Sequence, residues 1–352
     1  MSIIGKGSNE NWICRDPIPH NRPTLGKSEE KFAINILRSG WLAQGSAVET
    51  FEREFCEFLE IPEDCAVAVS SGTAALYLSL LVNGAKNRTV AYPAYTCSAL
   101  RNAVGLVGGN HALVDSQSQS PNMNIEQVPK HASIAIIPHM YGIPQEIPYN
   151  LQQLLTIEDC AQSLGARVNE KYTGLQGDLG VFSFFATKLM TSGGQGGMII
   201  AKDPAIIQEI KDYRLFDKRS DEKLRFNFQM TDLQAAIGIA QIRQFPSFIK
   251  RREEIYQQYK EAGLPLLDGP PNITPVRFRA IIQTTKQNEL ITALRLNNIT
   301  SVIPLQEWEL LGPKNMYTNA YHWTQNLVSL PIYPTLKDVE VKLILEITKN
   351  IL

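Results

Sequence analysis

Residues 182–200 read FSFFATKLMTSGGQGGMII. The stretch places its only cation, Lys188, after aromatic and small residues and before Gly193, Gly194, Gly196 and Gly197. DLGVFSF (178–184) and GMIIA (197–201) on either side read as strands of hairpin type. A lysine at such a junction is partly desolvated. Its pKa falls, and its amine becomes a nucleophile towards carbonyls. Glycines after it permit a tight turn that hugs a ligand. Taken alone, the same pattern also describes a surface lysine whose charged tip stays in water beside a flexible loop.

Upstream of this stretch the chain alternates strand-like and helix-like segments. CAVAVS (65–70), TVAYP (89–93), HALVD (111–115), ASIAIIP (132–138) and LLTIED (154–159) are short apolar runs. TAALYLSLLVNG (73–84) and SALRNAVGLVG (98–108) between them have helical character. Alternation of this kind predicts an α/β fold with a mostly parallel sheet and helices on both faces. Downstream, DPAIIQEIKDYRLF (203–216), TDLQAAIGIAQIRQF (231–245) and SFIKRREEIYQQYKEAG (247–263) read as helices, with Pro246 between the last two. VRFRAIIQT is a strand candidate, and NELITALRLNN and LKDVEVKLILEITKNI are helix candidates. We expect an N-terminal arm over 1–24, rich in Pro, Asn and charge. A large domain is expected over 25–245 and a smaller C-terminal α/β domain over 246–352.

The bulk numbers narrow the class. The 352 residues carry 34 Lys plus Arg against 35 Asp plus Glu, so no basic or acidic surface for nucleic acid or membrane is indicated. The longest strongly apolar run, AALYLSLLV, is far short of a membrane span. Cys14, Cys56, Cys65, Cys97 and Cys160 are scattered and form no CxxC pair, so neither a disulfide framework nor a cysteine metal site is expected. These features predict a cytoplasmic protein with reduced thiols and no metal.

Three further motifs accompany Lys188. SSGTAAL (70–76) is a strand end, a glycine, a threonine and a helix start. Gly72 lets the backbone approach a ligand, and the first amides of the helix, with Thr73, suit a phosphate. By itself it is also an ordinary capped turn. IEDCAQSLGA (157–166) puts Asp159 at the carboxyl end of a buried strand, where open α/β sheets bind ligands. A helix cap is its simpler reading. RFNFQMTDLQAA (225–236) holds Asn227 ahead of a helix. A phosphate cradle, an acid and a reactive lysine, in that order, describe a site for pyridoxal 5′-phosphate (PLP). The lysine forms a Schiff base with its aldehyde, and the carboxylate keeps its ring nitrogen protonated.

The chain resembles the DegT-type family of sugar aminotransferases from about Arg38 to the C-terminus. SGWLAQGSAVETFEREFCEFL (39–59), SSGTAAL, YPAYTCSA (92–99), HMYG (139–142), IEDCAQSLGA, SFFATK (183–188), GGQGGM (193–198), LQAAIG (233–238) and SLPIYPTLKDVEV (329–341) follow in the family's order. The resemblance implies the PLP-dependent transferase fold of type I. It implies that Lys188 is the Schiff-base lysine and general base, and that Asp159 pairs with the pyridine nitrogen. Gln162 matches a residue beside the ring, near its O3′ oxygen, and Gly72, Thr73 and Ser183 match phosphate binders. Asn227 matches an asparagine that reaches the neighbouring subunit's phosphate, which implies a homodimer with shared sites. Two departures stand out. Cys97 occupies a position where many members stack an aromatic on the cofactor, with Tyr95 the nearest aromatic. SVIPLQEWELLG (301–312) lacks a histidine often found after its proline.

The resulting expectation is a PLP-dependent aminotransferase that moves an amino group from glutamate to a keto sugar, with a nucleotide-linked sugar foremost. An aminotransferase of amino or oxo acids is the alternative within enzymes. It would need an arginine fork for a second carboxylate, for which Arg277 and Arg279 are candidates. A non-catalytic PLP-binding regulatory protein is the alternative outside enzymes.

Overall fold

The computed structural model describes residues 17–352, apart from the side chains of Asn150 and Gln152. Residues 1–16 of the expected arm, with Cys14, lie outside the described residues. Two amphipathic helices lead, α1 (Lys27–Ser39) and α2 (Ser46–Leu59). In α2 the buried positions Val48, Phe51, Phe55 and Leu59 recur at helical spacing. Its first turn is capped from far away in sequence: the Asp232 carboxylate accepts the amides of Gly45 at 2.7 Å and Val48 at 3.1 Å.

The alternating part follows as β1 (Ala66–Val69), α3 (Gly72–Val82), β2 (Thr89–Pro93), α4 (Ala99–Leu106), β3 (Asn110–Val114), β4 (Ile134–Pro138) and β5 (Leu155–Asp159). Two short strands, β6 (Arg167–Val168) and β7 (Lys171–Tyr172), precede β8 (Leu179–Ser183) and β9 (Gly197–Ala201). The main sheet has the order β1-β9-β8-β5-β4-β2-β3. β8, β5, β4, β2 and β3 are parallel, while β9 runs antiparallel to both β8 and β1. Every residue of β1, β4 and β9 is buried. That is why these strands stand in the sequence as continuous apolar runs rather than alternating ones. Successive side chains of β1 serve different cores. Ala66 and Ala68 pack with the phenylalanines of α2, and Val67 and Val69 pack with α3 and α4.

After β9 come α5 (Pro204–Arg214) and the long α6 (Asp232–Glu261). The sequence suggested two helices divided at Pro246, but α6 runs through it. Proline removes the donor for the carbonyl of Ile242. Neighbouring carbonyls on that turn gain side-chain donors: Gln244 Nε2 to Ala240 O at 2.8 Å, and Ser247 Oγ to Gln244 O at 2.7 Å. The chain ends with β10 (Ile273–Thr274), β11 (Ala280–Gln283), α7 (Gln287–Leu296), α8 (Thr318–Asn326), β12 (Leu327–Leu330) and α9 (Asp338–Ile351). β11 and β12 pair antiparallel. A third core gathers the end of α6, α7, α9 and this hairpin, and Ile18 from the arm is buried within it. Among the described residues no helix is long and apolar enough to cross a membrane.

Candidate active site

The carboxyl ends of the parallel strands converge on one cavity of about 190 Å³. β1 delivers Ser71, Gly72 and Thr73, β2 delivers Cys97, β5 delivers Asp159, and β8 delivers Ser183 and Lys188. This is the edge at which an open α/β sheet presents its ligand site.

The α3 end is built for an anion. Ser71 caps the helix, its hydroxyl accepting the Ala74 amide at 3.1 Å. The amides of Gly72 and Thr73 ahead of it have no partner earlier in the helix, because a helix leaves its first N–H groups unpaired. A Cβ at Gly72 would lie 2.8 Å from Cβ of Ser183, so only glycine lets the turn and the end of β8 close on each other. A Cβ at Gly197 would meet the Ser71 carbonyl at 2.4 Å, which fixes the same turn from the β9 side.

Lys188 stands in the loop between β8 and β9. Phe184 N donates to Gly196 O at 2.8 Å and Ala186 N to Gly194 O at 3.1 Å, so the loop folds back on itself. Leu189 and Met190, beside the lysine, are buried and anchor it. Burial pushes the Lys188 amine below its usual value. Asp159 and Cys97 oppose this, and Arg279 adds to it. Lys188 Nζ lies 5.4 Å from the centre of the Phe278 ring.

Asp159 Oδ1 accepts the Ala161 amide at 3.0 Å. No helix follows it; residues 161–165 form turns, so the carboxylate is not a helix cap. Burial pushes its carboxyl above the usual range, against the Ala161 amide, Lys188 and His139. Behind it His139 Nδ1 accepts the Gln145 amide at 3.2 Å, so Nε2 carries the hydrogen given to Glu158 at 2.9 Å.

The structure therefore brings Gly72, Thr73, Asp159, Ser183 and Lys188 onto one cavity. Gln162 is adjacent, its side-chain oxygen accepting the Tyr141 amide at 2.9 Å. Asn227 is apart from them. It is exposed, and its side chain accepts the Gln229 amide at 3.0 Å. Cys97 lines the cavity, whereas Tyr95 is fully buried and shares a 2.7 Å hydrogen bond with the Tyr141 hydroxyl. Sequence reasoning missed the arm. Asn21 Nδ2 donates to Thr187 O at 2.7 Å beside the lysine, and His20 Nε2 lies 3.2 Å from a guanidinium nitrogen of Arg279. These contacts span more than 160 residues and have no local pattern. The residues present fit PLP: a glycine-only anion cradle, a buried carboxylate and an amine of lowered pKa share one small cavity.

Known proteins place the chain. It is 30% identical to GDP-perosamine synthase of Vibrio cholerae, over 95% of this chain and 98% of that protein. It is 29% identical to UDP-N-acetyl-3-dehydro-alpha-D-glucosamine 3-aminotransferase of Acidithiobacillus ferrooxidans, over 81% and 84% of the two. The crystal structure of an aminotransferase from Streptoalloteichus hindustanus superposes with a TM-score of 0.86 at 22% identity, covering 95% of this chain and 98% of that one, which shows the shared fold. A profile of the DegT/DnrJ/EryC1/StrS aminotransferases matches residues 23–349. The chain belongs to this aminotransferase family, whose cofactor is PLP.

Proposed function

We propose that this aminotransferase moves an amino group from glutamate to a nucleotide-linked keto sugar. The carrying observation is that Lys188 and Asp159 line one cavity with the first turn of α3. PLP, when bound, supplies an aldehyde that takes up the amino group and a ring that withdraws electrons. The chain supplies the rest. The Gly72 and Thr73 amides and the Thr73 and Ser183 hydroxyls hold the phosphate. Asp159 offers its charge to the ring N–H. Gln162, its carbonyl oxygen already occupied by Tyr141, has its NH₂ group left to donate to the ring oxygen. Lys188 takes the proton from the donor's α-carbon and would deliver it to C4′ of the bound cofactor, which requires an amine free of its own proton.

Relatives that make GDP- and UDP-linked amino sugars support the choice of acceptor. The exposed position of Asn227 supports a homodimer in which it serves the partner's cavity. The separate third core supports a division into domains 25–245 and 246–352, although Val276 and Phe278 pack with the first core. The near-zero net charge and absence of a spanning helix among the described residues support a cytoplasmic location.

The test is optical. Glutamate should bleach the yellow holoenzyme and release 2-oxoglutarate, and keto sugar nucleotides added singly should restore the colour. A holoenzyme that no amino acid bleaches would sink the proposal.

A further inference from the structure

Arg277 and Arg279 sit two residues apart ahead of β11, and their surroundings differ sharply. Arg277 is saturated with acid: Nε donates to Glu253 at 2.8 Å and a terminal nitrogen to Asp268 at 2.8 Å, over the Tyr256 ring. Arg279 has no carboxylate within ion-pair distance among the described residues. Its one hydrogen bond there is to His20 Nε2 at 3.2 Å, and His20 is held in turn by Ser329 at 2.8 Å. Glu309, the acid whose charge reaches it, is engaged in capping the Gln306 amide at 2.8 Å. Arg214, Arg225 and Arg252 each leave a nitrogen buried without a partner, but Arg279 does not. Arg279 is half-buried, and its other N–H groups keep some exposure.

The guanidinium also stands near the reactive amine. The Arg279 guanidinium carbon and Lys188 Nζ each lie 5.4 Å from the centre of the Phe278 ring. The two cations are thus separated by no more than twice that distance. The Arg279 charge also acts on the buried Tyr95 and Tyr141 phenols. A guanidinium in such surroundings stays charged, and leaving it without a counter-ion is costly unless a ligand brings one.

We infer that Arg279, positioned by His20, binds a carboxylate of the amino donor. The inference rests on the aminotransferase reading above. A carboxylate is planar and offers two oxygens to the guanidinium fork. An amino acid carries its carboxylate within a few bonds of the nitrogen it must deliver beside Lys188. In a nucleotide-linked sugar, the ring separates the phosphates from the keto carbon.

The experiment uses the holoenzyme and its Arg279→Gln and Arg279→Lys variants. Stopped-flow loss of yellow colour against glutamate concentration separates apparent Kd from limiting rate. Glutarate, a dicarboxylate without an amino group, is the competing probe. For Arg279→Gln the apparent Kd for glutamate should rise on the order of 10- to 100-fold, with a smaller change in limiting rate. Glutarate competition should weaken in parallel, Arg279→Lys should recover part of both, and the apparent Kd for a keto sugar nucleotide in the second half-reaction should hold. Wild-type affinity for glutamate and glutarate in Arg279→Gln, with an active wild type, overturns the assignment alone. A loss confined to the sugar nucleotide overturns it in favour of phosphate binding. A wild type inert to every amino acid overturns the underlying reading instead.

Discussion

Glu158 and Asp159 are consecutive on β5, and their carboxyl groups meet opposite environments. Burial alone would raise Glu158, but His139 and the backbone amides of Gly174 and Gly177 hold it below the usual carboxylate value. Its oxygens also accept the Gln176 amide at 2.7 Å and the Gly177 amide at 2.8 Å. Asp159 has a single amide partner and is pushed up. Alternation along the strand sends one carboxylate into a structural network and the other into the cavity. Glu158→Gln should therefore cost about 1–3 kcal/mol of stability, because it turns an NH₂ group on donors. Asp159→Asn should melt near wild type but slow the glutamate half-reaction on the order of 100-fold. Thermal melting and single-turnover kinetics on both variants check this; interchanged outcomes would reverse the two roles.

Lys188 should be the residue that carries the cofactor. Borohydride reduction of the holoenzyme, followed by peptide mapping, should place the added mass on the peptide containing Lys188. Lys188→Ala should retain cofactor that dialysis removes, and its turnover should fall by about 1,000-fold or more. A tag on another lysine would sink the assignment.

His20 ties stability to pH. Its imidazole is held down to about 3 by burial, Arg279 and Arg252, and it accepts hydrogen bonds from Arg279 and Ser329. In the unfolded chain it titrates near 6.5. Between these values the unfolded state binds the extra proton, so stability is lost as pH falls through that window. Wild type should lose more melting temperature than His20→Asn between pH of about 7 and 4. Parallel curves would show that His20 contributes nothing.

Much of the site was legible because each part is local. Gly72, Asp159, Ser183 and Lys188 all sit at ends of strands buried on both faces, and such strands announce themselves as apolar runs. What stayed hidden is non-local or a matter of context. Pro246 reads as a break, and only the Gln244 and Ser247 side-chain bonds show how the turn accommodates it. β6, β7 and β10 are two residues long, too short for any period. His20 meets Arg279 across 259 positions, and nothing in the arm's composition points there.

Glu52 and Arg214 form a buried ion pair, and Glu52 also accepts the Ala68 amide at 2.8 Å. Removing Arg214 leaves Glu52 with only the more distant and half-exposed Lys211, at 3.8 Å. Arg214→Met should cost about 3–5 kcal/mol, more than the double variant Glu52→Leu/Arg214→Met, in which no buried charge remains. Denaturant midpoints of the three proteins decide it, and a double variant less stable than Arg214→Met would show that the pair itself stabilises the fold.

The last prediction concerns assembly. Asn227 is exposed and lies outside its own chain's cavity, while the resemblance to the family implies a phosphate contact for it. Both hold if it reaches a second copy. Lys188→Ala and Asn227→Ala proteins, each impaired alone, are mixed under conditions that exchange subunits. A hybrid dimer pairs the lysine lesion of one chain with the asparagine lesion of the other in a single site. The second site then has Lys188 from the Asn227→Ala chain and Asn227 from the Lys188→Ala chain, and is whole. Activity should rise above either parent, towards about half that of wild type per hybrid dimer, since one of two sites is intact. Native mass spectrometry verifies hybrid formation independently of activity. Proven hybrids with no recovery would place Asn227 in service of its own chain.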